Sequence, residues 1–309
     1  MPPSRDDRRA RSARRTDGDL ERRLVLAATC ACLLEVSAEK VGNVTPARGF
    51  ADAGFADFAL SALAAGPPLA RARPGGVGEA IYRAVAATRR VTTTNTNLGI
   101  VLLLAPIVAA ARLRGGGLRR RLERILRGLS RADARWAYRA IRLARPGGLG
   151  RSPAADVRRP PPVTLREAMA LAAPRDGIAA EYVGGFPVTF GVALRGLQRA
   201  LRRGLSVLDA IAQAHLEVLA RVPDTLIARK AGPAVARRVS DRAGAVVRVG
   251  GLHTGRGRVA ARRLDQTLRR AGHRLNPGTS ADVVTAALFV WLLGADARGR
   301  GRAGPRGLP

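Results

Sequence analysis

Apolar residues recur along this chain at helical spacing, rich in Ala and Leu, with few β-branched alternating runs of the kind a half-buried strand needs. The pattern predicts a first helix over 19–39 and a second over 52–65, with Phe55, Phe58 and Leu63 among its apolar positions. Gly66-Pro67-Pro68 is expected to end the second. A third helix is predicted over 77–90. A fourth starts at Leu98 and is hydrophobic on nearly all sides, which marks it as central. Beyond Gly115-Gly116-Gly117, helices are expected over 119–128 and 130–145, the latter opened by a capping box of Ser130 and Asp133. A Pro-rich connection, 151–163, leads to helices over 164–173, 175–183, 187–202 and 207–220, the last capped by Ser206. Asp224 then caps a helix carrying Arg229 and Lys230, and another runs to about Val249. Helices over 256–271 and from about 282 to Leu293 complete the expectation. This is an all-α chain: one multi-helix domain over 19–294, between disordered tails at 1–18 and 295–309 that lack apolar periodicity.

Four polar turns precede or open apolar helices, at 40–46, 92–99, 224–230 and 275–282. They bring Gly42, Gly99 and Gly278 for close backbone approach, and helix N-termini suited to phosphate. Composition sharpens the pointer. Of 54 Lys and Arg, only Lys40 and Lys230 are lysine, and the only asparagines are Asn43, Asn95, Asn97 and Asn276. In so arginine-rich a chain, the surviving lysines and asparagines are expected where Arg or Asp cannot substitute. All six fall in or beside those turns. Just upstream, Glu35 interrupts the apolar end of the first helix.

Hydrophobic content of 47% with only 4% aromatics implies a core of Leu, Ala and Val. The net charge of +31 invites a nucleic-acid reading. The arginines are spread along the chain, however, and few aromatics are available for stacking on bases, so no nucleic-acid partner is expected. Arg120, Arg124, Arg127, Arg131, Arg135 and Arg139 read as a solvated face. Cys30 and Cys32 read as reduced thiols, and three scattered histidines form no zinc pattern. Arg22-Arg23 followed by LVLAATCACLL imitates a signal peptide cleaved after Ala38, but Glu35 interrupts the apolar run. It reads as a buried helix of a cytoplasmic protein. No apolar run reaches spanning length, and no membrane partner is expected. A Walker pattern is absent, and the GxGxxG that occurs, Gly299 to Gly304, lies in the Gly-, Arg- and Pro-rich tail rather than between a strand and a helix.

EVSAEKVGNVTP (35–46), NTNLG (95–99), IRLARPGGLG (141–150), TLREAMALAAPRD (164–176), PDTLIARKAG (223–232) and HRLNPGTSAD (273–282) resemble, in order, the triphosphoribosyl-dephospho-coenzyme A synthase family. The resemblance covers about residues 20 to 294. It departs where the family's Lys-Pro-Gly is Lys40-Val41-Gly42, and where citrate-lyase-associated members carry Asn-Thr-His-Lys-Gly in place of Asn95 to Gly99. That places the chain nearer a broader branch. The resemblance implies an all-helical pentosyltransferase that moves the 5-triphosphoribosyl group of ATP onto the 2′-hydroxyl of 3′-dephospho-coenzyme A, releasing adenine. ATP and 3′-dephospho-coenzyme A are then the substrates, with Mg²⁺ accompanying ATP.

Such chemistry needs a carboxylate for an oxocarbenium-like centre and a general base. Glu35 and Asp282 are the catalytic candidates, Glu35 because an apolar neighbourhood raises its pKa. Lys40, Gly42, Asn43, Asn95, Asn97, Gly99, Arg229, Lys230, Asn276, Gly278 and Thr279 are assigned to substrate and phosphate. Asp224 and Asp282 are assigned to metal, and Asp52, Asp57 and Asp176 are lesser candidates. The competing roles are architectural: Glu35 as partner of a buried Arg, Asp282 as capping partner of Thr279, and Asp224 as an N-cap. Related ribosyl transfer to another acceptor, or a non-catalytic basic nucleotide- or RNA-binding protein, are the alternative functions.

Overall fold

A computed structural model of the chain describes residues 5–148, 150 and 154–298. Among them are fourteen α-helices and no strand. The first six are α1 (Arg5–Ser37), α2 (Phe55–Ala70), α3 (Val77–Thr88), α4 (Leu98–Arg112), α5 (Leu118–Arg127) and α6 (Arg131–Ala144). After a loop come α7 (Leu165–Ala172) and α8 (Gly177–Gly184), then a π-helix (Thr189–Ala193) that runs into α9 (Leu194–Arg202). The chain continues through α10 (Val207–Arg221), α11 (Thr225–Ala231), α12 (Pro233–Arg248), α13 (Gly255–Arg269) and α14 (Gly278–Arg298). No single helix among the described residues is long and apolar enough to cross a membrane.

Most boundaries fall within a few residues of the expected ones because the caps are local. The Ser130 hydroxyl accepts from Asp133 N at 3.1 Å, and Asp133 Oδ2 accepts from Ser130 N at 2.9 Å. Two expectations fail. The helix α1 begins at Arg5, so residues 5–18 are helical rather than irregular. Arg and Ala are strong helix formers, and Asp17 ties the helix down by accepting from Arg73 at 2.8 Å and Arg112 at 2.7 Å. The helix α2 runs through Pro67 and Pro68 to Ala70. Its last turn is held by burial of Gly66, Leu69 and Ala70 rather than by a full set of backbone bonds. At the C-terminal end, α14 extends past Leu293, and 299–309, like 1–4, lie outside the described residues.

The main core is centred on α4, where Ile100 to Ala110 are all buried. Pro106 offers no N–H, which leaves the carbonyl of Leu102 one turn back without its helical donor. The hydroxyl of the buried Tyr182, from α8, donates to that carbonyl at 2.6 Å. Around α4 pack α2, α3, α5 and α14, and α1 lies between α2 and α14. A second apolar cluster joins α10, α11, α12 and α13 through Leu216, Leu219, Ile227, Val239, Leu264 and Leu268. The first turns of four helices meet near the junction of the two clusters.

Candidate functional site

A cavity of about 850 Å³ is lined by the first turns of α4, α8, α11 and α14. Its size falls in the upper part of the range for small-molecule sites. The helix starts are held in place by side-chain oxygens. Asp176 Oδ1 accepts from Ile178 N at 2.9 Å and Ala179 N at 3.1 Å, and Asn95 Oδ1 accepts from Leu98 N at 3.2 Å. Thr225 Oγ1 accepts from Gly177 N at 3.0 Å and lies 3.1 Å from Thr279 Oγ1, so α8, α11 and α14 are stitched together.

Asp282 reaches into the cavity with neither a hydrogen bond nor an ion pair among the described residues. Its carboxylate packs against the bare Cα of Gly99 in the first turn of α4. Burial first, and then the neighbouring Glu35 and Asp224 charges, push its carboxyl well above the ordinary aspartate range. Glu35 also lines the cavity, 4% exposed, with Oε1 3.3 Å from Lys40 Nζ. Burial raises the Glu35 carboxyl against the pull of that ammonium. The partner of Glu35 is thus a buried lysine five residues on, not an arginine. Cations stand around the same space: Arg229, which donates to Asp176 Oδ2, with Lys230, Arg89, Arg145 and Arg175. Burial lowers the Lys230 ammonium.

Most of the expected site residues come together here. Asn43, Asn95, Asn97 and Gly99 line one part of the cavity, and Asn276, Gly278 and Thr279 another. Asn276 Oδ1 is buried with no hydrogen-bond donor among the described residues, a polar atom left for a ligand. Asp52 and Asp176 line the cavity too. Asn97 is nonetheless anchored in the core, where its Nδ2 donates to Thr88 Oγ1 at 3.0 Å.

Four candidates are placed elsewhere. Lys40 is 1% exposed and does not line the cavity. Its Nζ donates to the carbonyls of Glu35, Ala38 (3.1 Å) and Val44 (3.3 Å), so its hydrogens are spent on the turn that follows α1. A phosphate role is closed to it in this arrangement. Gly42, at φ 69°, donates its N–H to Asp265 Oδ1 at 2.8 Å, and a Cβ there would lie 2.7 Å from Leu268 Cδ1. It is a packing glycine. Asp224 is buried, and its oxygens accept from Leu226 N, Ile227 N, Ser280 N and Ser280 Oγ, at 2.8 to 3.1 Å. With four donors satisfied, it is a structural clamp between α11 and α14 rather than a metal ligand. Asp57 accepts from Gly54 N and Thr92 Oγ1, each at 2.9 Å, and does not line the cavity.

Metal binding by the protein alone does not fit this donor set. Among the described residues no group of three or more Asp, Glu, His or Cys side chains is arranged to hold an ion. Sequence reasoning passed over Arg89, Arg145 and Arg175 because arginine is everywhere in this chain. It also passed over Asp265, which accepts from Gly42 N, Arg48 and Arg269 and so fixes the turn after α1. Nothing local distinguishes that aspartate from any other helical one.

Comparison with known proteins matches residues 21–300 to the family model described as ATP:dephospho-CoA triphosphoribosyl transferase. A protein from Pseudomonas putida, described as a probable 2-(5″-triphosphoribosyl)-3′-dephosphocoenzyme-A synthase, is 37% identical over 106 residues. One of the same description from Klebsiella pneumoniae, there without the qualifier, is 32% identical over 106 residues. Each match takes in 34% of this chain and 37% of the relative's length. A solved structure from Archaeoglobus fulgidus bearing the triphosphoribosyl-dephospho-CoA synthase name superposes with a TM-score of 0.55. At 23% identity, over 75% of this chain and 95% of the other, it shows a shared fold.

Proposed function

The chain belongs to the ATP:dephospho-CoA triphosphoribosyl transferase family, and from that premise we propose that it transfers the 5-triphosphoribosyl group of ATP to the 2′-hydroxyl of 3′-dephospho-coenzyme A, releasing adenine. The observation that carries this reading is the Asp282 carboxyl. It faces the cavity without a hydrogen-bond or ion-pair partner among the described residues, its pKa is raised, a second carboxylate lies nearby, and cations surround it.

Breaking the C1′–N9 bond leaves the bonding pair on adenine and an oxocarbenium-like charge on the ribose. A carboxyl whose pKa is raised by burial and neighbouring carboxylates is suited to give adenine its proton, and the carboxylate so formed then faces the ribosyl cation. Asp282 takes this role. The new bond forms from the acceptor hydroxyl oxygen to C1′, and that hydroxyl loses a proton, so one proton is gained by adenine and one lost by the acceptor. Glu35, the buried carboxylate whose charge acts most strongly on Asp282, is the base. Arg229 and Lys230 hold phosphates. Magnesium enters bound to the triphosphate as part of the substrate, since the protein's own donors do not form a cage for it.

Incubation of the full chain with Mg·ATP and 3′-dephospho-coenzyme A tests the proposal. Free adenine and a product heavier by one triphosphoribosyl unit are expected in equal amounts by liquid chromatography and mass spectrometry. ATP left intact under these conditions overturns it.

A further inference from the structure

The cavity has two unlike walls. One, made by the first turns of α4 and α14, by α11 and by the turn 92–97, carries the titratable and amide groups described above. The other is made by α6, α7 and the loop 154–157, and apart from Asp156, whose carboxylate is paired with Arg158, it is apolar: Ile141, Ala144, Val157, Leu165, Ala168 and Met169 line it. Its one aromatic hydroxyl is already used, since Tyr138 donates to Ala155 O at 2.6 Å. The loop is pinned a second time by Arg142, which donates to Val157 O. Arg145 and Arg175 stand just beyond the ends of α6 and α7, at the margins of this wall. Leu171 of α7 lines the same cavity and is 45% exposed. An exposed leucine inside a concave site marks surface that a ligand covers.

Of the two substrates proposed above, ATP carries charge or base edges along its whole length and has no segment suited to such a wall. The acceptor does. Between its pyrophosphate and its thiol runs a thin, uncharged chain with a dimethyl-substituted carbon and two amides. We infer that the α6–α7 wall is the subsite for this pantetheine arm, and that it distinguishes the acceptor from a second nucleotide. The inference rests on the proposed function for the identity of the acceptor. The dimethyl carbon is matched by the apolar side chains of α7, and Arg145 or Arg175 at the margin meets the pyrophosphate end.

Two variants of the full chain test it, with calorimetric binding of 3′-dephospho-coenzyme A and of ATP as the readouts. Ala168→Phe fills the wall and is expected to weaken dephospho-coenzyme A binding by about tenfold or more, leaving ATP binding within about twofold. Leu171→Ala changes an exposed position, keeps the fold if the bulkier variant does not, and is expected to weaken the acceptor by about three- to tenfold. Equal weakening of both ligands, or unchanged acceptor binding in the folded variants, overturns the subsite. Adenine release by wild type, with no acceptor-selective effect of the variants, removes the subsite and spares the reaction. Acceptor-selective weakening in a protein that releases no adenine removes the reaction and spares the subsite.

Discussion

Asp282 leans its carboxylate so closely on Gly99 that a Cβ there would fall 2.0 Å from Oδ2 and 2.6 Å from Cγ. Gly99 belongs to the first turn of α4, the most buried helix, and Asp282 lies near the start of α14, which packs on it. Neither backbone is free to retreat, so a methyl group must expel the carboxylate. Gly99→Ala is expected to leave the protein folded and to lower the rate of adenine release by about a hundredfold, the scale on which an ångström of misplacement acts. Wild-type turnover in that variant would separate Asp282 from the chemistry.

The raised pKa of Asp282 makes a second, pH-dependent prediction. The folded protein holds a proton that the unfolded chain loses above about pH 3.8. Wild-type stability therefore falls as pH rises from near 4 toward the folded value, because over that window the native state binds more protons than the unfolded one. Asp282→Asn removes the titration. Urea unfolding should find the variant more stable than wild type at pH 8, with the difference shrinking toward pH 4, while adenine release is abolished. A gap independent of pH contradicts this.

Lys40 and Glu35 act on architecture before they act on substrate. The Lys40 ammonium sits among three carbonyls and one carboxylate in a sealed space. Lys40→Arg keeps the charge but overfills that space and is expected to cost about 1–3 kcal/mol. Lys40→Met strands Glu35 and is expected to cost about 3–5 kcal/mol. In both, KM for ATP of the folded fraction should stay near wild type, because Lys40 does not reach the cavity. A rise in KM without loss of stability would return the lysine to the phosphates.

Asp224 should behave as a clamp. Asp224→Ala leaves four donors of α11 and α14 without their acceptor, two of them on the first turn of α11. A loss of about 3 kcal/mol or more is expected by urea titration. Its dependence on added Mg²⁺ should be no greater than that of wild type. A strong magnesium effect lost in the variant would make Asp224 a metal ligand after all.

The amino-acid sequence by itself determined what is decided within one or two turns of chain. Helical periodicity, and caps such as Ser130 with Asp133 or Asp224 ahead of α11, act between residues two to four apart, so the helices are where the pattern puts them. It also marked the asparagine- and glycine-bearing turns that line the cavity. The tertiary structure decided which way the rare residues face. Lys40 and Lys230 look alike as survivors in an arginine-rich chain, yet one is sealed under the turn after α1 and the other lines the cavity. What seals the first is long-range: the turn it braces is held by Asp265, which lies 223 residues from Gly42 in the chain and 2.8 Å from its amide in space. The persistence of α2 through Pro67-Pro68 and the start of α1 at Arg5 have the same origin. Packing and ion pairs between distant segments supplied what local propensity did not.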